Sequence, residues 1–182
     1  GSMPKGIYIV RKGKIKIYKS NSQGTESIVY IYKKGDYFGY RPLLAEDPNP
    51  VSAAAIDNTV VTFLPKEAFQ SLINKSDSLA KKILVNLSKE FSVWINKMTV
   101  FTQYSVKERI ALSLLILSKV YQSDENKKTT ISINRDDFAS FVGTAKESLV
   151  RNLRHFKDEK IISTQGTKIV VLKPDDLQKY LL

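Results

Sequence analysis

Lys146, Glu147, Arg151 and Arg154 are the charged side chains whose spacing most narrows what they can do. On a helix turning about 100° per residue they share, with Val150, an arc of about 140°. Leu149, Leu153 and Phe156 occupy another face and read as its buried side. An arginine presented this way can pair bidentately with guanine, and a glutamate can accept from cytosine N4. A charged helix face is more often merely solvated, so the surrounding elements must decide.

Those elements are well marked. Asn134 precedes Arg135-Asp136-Asp137, an N-cap with acids in the first turn. Phe138, Phe141 and Val142 give that helix an apolar side. Gly143 follows, suited to the positive φ of a sharp helix-to-helix turn. Thr144-Ala-Lys-Glu147 reads as a capping box that starts the charged helix. Two short helices joined by a glycine turn make a helix-turn-helix, whose second helix offers its N-terminal face to a DNA major groove. Ile161 to Leu172 then reads as two strands around Gln165-Gly166, a wing.

Upstream, Ser105-Val-Lys-Glu108 is another capping box, opening a helix to about Tyr121. Ser123 to Lys128 reads as a polar loop, and Thr129 to Ile133 as a short strand. Before them a long helix is expected over roughly Ser78 to Gln103. Ala80, Leu84, Leu87, Phe91, Trp94, Met98 and Phe101 alternate gaps of four and three, a heptad seam. Such a seam packs one helix along another. It suits a homodimer, with a core helix inside one subunit as the alternative.

Residues 7 to 64 read as strands and tight turns. Ile15 and Ile17 alternate with Lys14 and Lys16, as in a half-buried strand. Ser27 to Tyr32 and Thr59 to Leu64 are β-branched and aromatic. Lys12-Gly13, Gln23-Gly24, Lys34-Gly35-Asp36 and Asp47-Pro48-Asn49-Pro50 mark turns between them. This spacing predicts an all-β sandwich or roll. A helix over Lys66 to Ile73 follows. Gly1-Ser2 reads as a processing remnant before a start methionine, Met3.

Composition removes several function classes. The 182 residues include no cysteine and one histidine, His155. Disulfides, thiolate metal sites and a cysteine nucleophile are therefore excluded for this sequence. His155 lacks the partners of a triad and is expected on an exposed helix face or at a DNA backbone. No metal, cofactor or enzymatic activity is expected. A cupin-like enzyme would want histidines among residues 7–64, which hold none. The longest apolar stretch, Ile110 to Leu117, is about one third of a membrane span. A soluble, cytoplasmic protein is expected. The net charge of +11 suits a polyanionic partner but is spread over residues 1–74, 75–104 and 105–182 as +4, +3 and +4, so it does not locate the site.

Phe138-Ala-Ser-Phe-Val-Gly-Thr-Ala-Lys-Glu-Ser-Leu-Val-Arg151 and Ile161-Ile-Ser-Thr-Gln-Gly-Thr-Lys-Ile-Val-Val171 resemble the recognition motif and wing of the CRP/FNR regulators. The resemblance covers nearly the whole chain. It implies base reading by Lys146, Glu147 and Arg151, with Arg154 on the same face. It implies phosphate contacts at Thr144, Ser148, Thr164 and Gln165. The long helix corresponds to the family's dimerisation helix, with Leu84, Leu87, Phe91, Trp94, Met98 and Phe101 as its seam. Gly35-Asp-Tyr-Phe-Gly39 and Ser52-Ala53 resemble the family's cyclic-nucleotide-type roll, so Gly39, Tyr40, Arg41, Ser52 and Ala53 mark an effector pocket.

The nucleotide-binding members hold ribose with a glutamate after the Phe-Gly pair and phosphate with an arginine before the Ser/Thr-Ala pair. Those positions are Tyr40 and Val51 here, which argues against cyclic AMP. The Tyr40 ring is expected to fill the ribose space. Arg41 is the one substitute cation, expected on the opposite face if the strand continues. Family members reach the strand at Gly6–Val10 later in their chains, so the roll is expected to lack its first part and to expose strand edges.

The expected fold class is α+β: a partial antiparallel β-roll (residues 1–74), a dimerisation helix (75–104) and a winged helix-turn-helix (105–182). The expected function is sequence-specific, dimeric DNA binding at a palindromic operator, with RNA polymerase as a further partner. The alternative is a ligand-binding or protein-interaction module that does not bind DNA.

Overall fold

The computed structural model describes residues 1–122 and 129–181. The loop expected over Ser123–Lys128 lies outside the described residues. The chain forms two compact units, residues 1–25 with 29–98, and residues 26–28 with 99–182.

The first unit contains β1 (Gly6–Lys12), β2 (Lys14–Ser20), β3 (Glu26–Lys33) from Val29 onward, β4 (Tyr37–Phe38), β5 (Ser52–Ala55) and β6 (Val60–Pro65). They form two three-stranded sheets, ordered β4-β1-β6 and β3-β2-β5. β1 is antiparallel to β4 and β6, and β2 to β5. The alternation in β2 is realised: Ile15 and Ile17 are buried with Val10, Tyr32 and Phe38. Gly13 makes the β1–β2 turn at φ 76°, where a Cβ would collide with Asp57 and Thr59. On β6, Val60, Val61 and Phe63 are exposed.

A second core joins Ile7 to the helices α1 (Tyr40–Ala45), α2 (Lys66–Lys75) and α3 (Asp77–Gln103) through Tyr40, Leu43, Phe69 and Ile83. α3 has two different faces. Ile83, Asn86, Glu90, Trp94 and Lys97 are buried or half-buried, whereas Leu84, Leu87, Phe91 and Met98 are exposed. Phe91 is 65% and Met98 69% exposed, a large apolar stripe for a helix to leave in water. Trp94 therefore departs from the expected seam: it sits on the inner face, near the Arg41 guanidinium.

In the second unit, α4 (Val106–Tyr121) starts at the expected capping box. The Ser105 amide donates to Glu108 Oε2 at 2.6 Å, and Glu108's amide donates to Ser105 Oγ at 3.4 Å. The apolar run becomes the unit's central packing surface, with Ile110, Ala111, Leu114 and Leu117 fully buried. β7 (Thr130–Ser132), β8 (Ile162–Gln165) and β9 (Lys168–Val171) form an antiparallel sheet ordered β7-β9-β8. α5 (Arg135–Val142), α6 (Lys146–Asp158) and α7 (Pro174–Gln178) complete the unit, with a 3-10 turn over Lys179–Leu181. Among the described residues no helix is long and apolar enough to cross a membrane.

Candidate nucleic-acid interface

α5 begins at Asn134, whose Oδ1 accepts from the Asp137 amide at 2.7 Å. It ends at Gly143, φ 71°, whose amide donates to the Ala139 carbonyl at 2.9 Å. The Phe101 ring lies so close to Gly143 that a Cβ there would overlap it. Phe101 also lies under the Arg109 guanidinium, 5.5 Å from ring centroid to Cζ. The ring thus also packs on the turn between α5 and α6.

The second expected capping box does not form. The N-cap of α6 is Ala145, which has no side-chain bond to the helix. The Thr144 amide instead closes the preceding turn onto the Ala139 carbonyl at 3.1 Å, so the helix starts one residue later. The first amides of α6 are left without a side-chain cap, an arrangement suited to an anion.

α6 buries Leu149, Leu153 and Phe156 and exposes Glu147, Val150, Arg151 and Arg154. Lys146 is exposed and pairs with Asp136 of α5 at 2.9 Å. Between two exposed partners such a pair is weak and easily exchanged for another anion. Ser148 is half-buried, and its carbonyl accepts from Asn152 Nδ2 at 2.8 Å. Thr164 is half-buried on β8, and Gln165 is exposed at the start of the wing turn.

In the sequence Arg135 is distinguished only as a residue of a helix start. Its Nη2 donates to the Gly166 carbonyl at 2.9 Å and its Nη1 to the Thr167 carbonyl at 3.5 Å. It ties the wing turn to the start of α5, and burial pushes its pKa down. Nothing in its sequence position separates it from an ordinary solvated arginine. His155 is half-buried, beside Lys107 Nζ and 3.1 Å from Glu159 Oε1. Glu159 also accepts from the Tyr180 hydroxyl at 2.8 Å, and that phenol is pushed up to about 12, chiefly by desolvation. These contacts give His155 a structural role joining α4, α6 and the C-terminal turn.

In the first unit, Gly39, Arg41, Ser52 and Ala53 line a broad open cavity of about 1370 Å³, with Trp94 of α3 on its wall. Tyr40 does not line it. Its side chain is only 1% exposed in the second core, and its hydroxyl accepts from Asn86 Nδ2 at 3.1 Å. The expectation that Tyr40 fills a ribose space, with Arg41 on the opposite face, is reversed. The strand ends at Phe38 and α1 begins at Tyr40, so helical rather than alternating geometry sets the two directions.

The sequence carries two profile matches: the cyclic nucleotide-binding domain over residues 1–76 and the Crp-like helix-turn-helix domain over residues 108–180. The chain belongs to the CRP/FNR family of DNA-binding transcription regulators. It is 25% identical to the fumarate and nitrate reduction regulatory protein of Vibrio cholerae over 181 residues, covering 98% of this chain and 72% of that one. It is 25% identical to the transcriptional activator Anr of Pseudomonas protegens over 173 residues, covering 94% and 70%. Among solved structures, FixK2 of Bradyrhizobium japonicum superposes with a TM-score of 0.87 at 20% identity, covering 98% of this chain and 88% of FixK2. A CRP/FNR regulator of Thermus thermophilus gives 0.81 at 20% identity, covering 98% and 90%. These likenesses agree with the α+β fold built from antiparallel sheets, a long helix and a helix-turn-helix.

Proposed function

We propose that this regulator binds a palindromic operator as a homodimer joined along α3, reading bases with Glu147 and Arg151 of α6. The observation that carries this reading is α6 itself. Its apolar side is fully used in the core, while Glu147, Arg151 and Arg154 are free to meet a groove. Lys146 joins them by exchanging Asp136 for DNA. Thr144, Ser148, Thr164 and Gln165 surround the uncapped start of α6 and the wing, where backbone phosphates would be held.

The exposed stripe Leu84, Leu87, Phe91 and Met98 supplies the dimer contact, because a second copy of the same stripe would cover it. RNA polymerase is a further partner in this reading, and the site of action is the cytoplasm. Cyclic AMP is not the effector: Val51 supplies no cation and Tyr40 no cavity-facing polar group. The experiment is duplex binding as a function of salt. Affinity for a selected site should fall steeply with salt, as counterions are released by phosphate contacts. Absence of binding to any duplex at low salt would overturn the reading in favour of a protein-interaction module.

A further inference from the structure

The first turn of α5 carries three charged residues, and two of them are committed to that turn and to the wing. Arg135 donates to the Gly166 and Thr167 carbonyls. Asp137 accepts at Oδ2 from Asn134 Nδ2 at 2.8 Å, and its amide donates back to Asn134 Oδ1 at 2.7 Å. Asp136 reaches the other way, across the turn to Lys146, the first residue of α6. Lys146 Nζ stands 2.9 Å from Asp136 Oδ1 and 2.9 Å from Oδ2, so both oxygens face one ammonium. The pair is open to solvent, with the Asp136 side chain 73% exposed. A carboxylate placed there works against DNA binding in general. Phosphates repel it, and a duplex that covers it without supplying a donor leaves a desolvated, unpaired charge. Moving Lys146 from Asp136 to DNA strips the carboxylate of its counter-charge and sharpens the penalty.

The major groove offers the missing donor, since cytosine N4 and adenine N6 both present amino groups there. In a G·C pair the O6 acceptor and the N4 donor are joined by an ordinary N–H···O bond of about 2.9 Å. Lys146 Nζ and the Asp136 oxygens are a donor and an acceptor at the same spacing. Set against the edge of that base pair, the ammonium meets O6, the carboxylate meets N4, and neither charge is left alone. A T·A pair presents its acceptor and donor in the same order. Guanine adds N7 beside O6, however, where thymine carries a methyl group. We propose that Lys146 and Asp136 read one base pair together, guanine by the ammonium and its paired cytosine by the carboxylate. Asp136 is then a specificity-determining residue outside the reading helix. It lowers affinity for DNA at large and raises the preference at one position. The proposal rests on the reading of α6 as the helix that enters the groove.

Duplexes are selected from a random pool with the parent chain, and the recovered site is then varied at each base pair. Binding is measured for the parent, Asp136→Ala, Lys146→Ala and the double variant, each checked for folding by its thermal melt. Both side chains are exposed, so the fold should survive. One position should prefer G·C, with T·A next and the two reversed pairs weakest. Each single substitution should cut the preference for G·C over C·G there by about tenfold or more, and the double variant should lose little beyond that. Asp136→Ala should at the same time bind random duplex more tightly, because its repulsion of phosphates is gone. Replacing the cytosine at that position by 2-pyrimidinone, which lacks the amino group, should weaken the parent and leave Asp136→Ala unchanged. The proposal is overturned if Asp136→Ala gains equally on selected and random duplex, or if the two substitutions act at different positions. It is equally overturned if loss of the amino group is felt alike by the parent and Asp136→Ala. A parent that binds no duplex, or every duplex alike, overturns the proposed function and this proposal with it, whereas the preceding three results overturn this one alone.

Discussion

Arg135 Nη2 donates to the Gly166 carbonyl at 2.9 Å, so the tip of the wing is fastened to the first turn of α5. A charged donor on a backbone carbonyl contributes about 1.5–3 kcal/mol where it is desolvated, and less at a partly exposed site such as this. Arg135→Ala should lower the melting temperature and loosen the wing. Hydrogen exchange at residues 165–168 should speed up, while the core of α4 keeps its protection. Unchanged exchange in the wing would show that the tie carries no weight.

Gly143 is the most constrained point of the helix-turn-helix. It combines φ 71° with the Phe101 ring where a side chain would begin. Gly143→Ala should destabilise the chain by about 1–3 kcal/mol from backbone strain, with the steric clash in addition. Adding Phe101→Ala should recover the steric part and leave the backbone part. Denaturant unfolding of the two variants separates them. Full recovery in the double variant would mean that the φ angle costs little.

Much of this unit was legible because its signals are local. Ser105 and Asn134 cap as their sequences indicate, and Gly143 turns the chain as expected. The Thr144 box failed for a local reason too, since that amide is spent on the Ala139 carbonyl and the helix starts at Lys146. The heptad reading of α3 mixed two faces. Spacing by threes and fours places Trp94 in line with Leu87, Phe91 and Met98, but it does not report what packs on it. The inner stripe of Asn86 and Glu90 carries no hydrophobic signal, because a buried carboxylate looks like a solvated one until Tyr32 and Arg41 are brought to it through the fold. The reversal of Tyr40 and Arg41 has a similar origin, a helix beginning where a strand was extended.

The exposed stripe of α3 makes its own prediction. Phe91→Asp combined with Met98→Asp would place four carboxylates against one another in a symmetric dimer, which is strongly unfavourable when they are desolvated. Sedimentation should then show monomers, with the secondary structure retained because both side chains are exposed in the single chain. A dimer that survives these substitutions must be joined elsewhere.

In the proposed function α6 reads a symmetric site with Glu147 and Arg151. Selection of bound duplexes from a random pool, run in parallel on the parent chain and on Arg151→Ala, tests it most directly. The parent should recover a two-fold palindrome with half-sites about one helical turn apart. Arg151→Ala should lose about 1–3 kcal/mol of discrimination at one symmetric base-pair position while keeping the rest of the site. Recovery of an asymmetric site bound by one chain per duplex, or a loss in Arg151→Ala that is equal on selected and random DNA, would contradict the account.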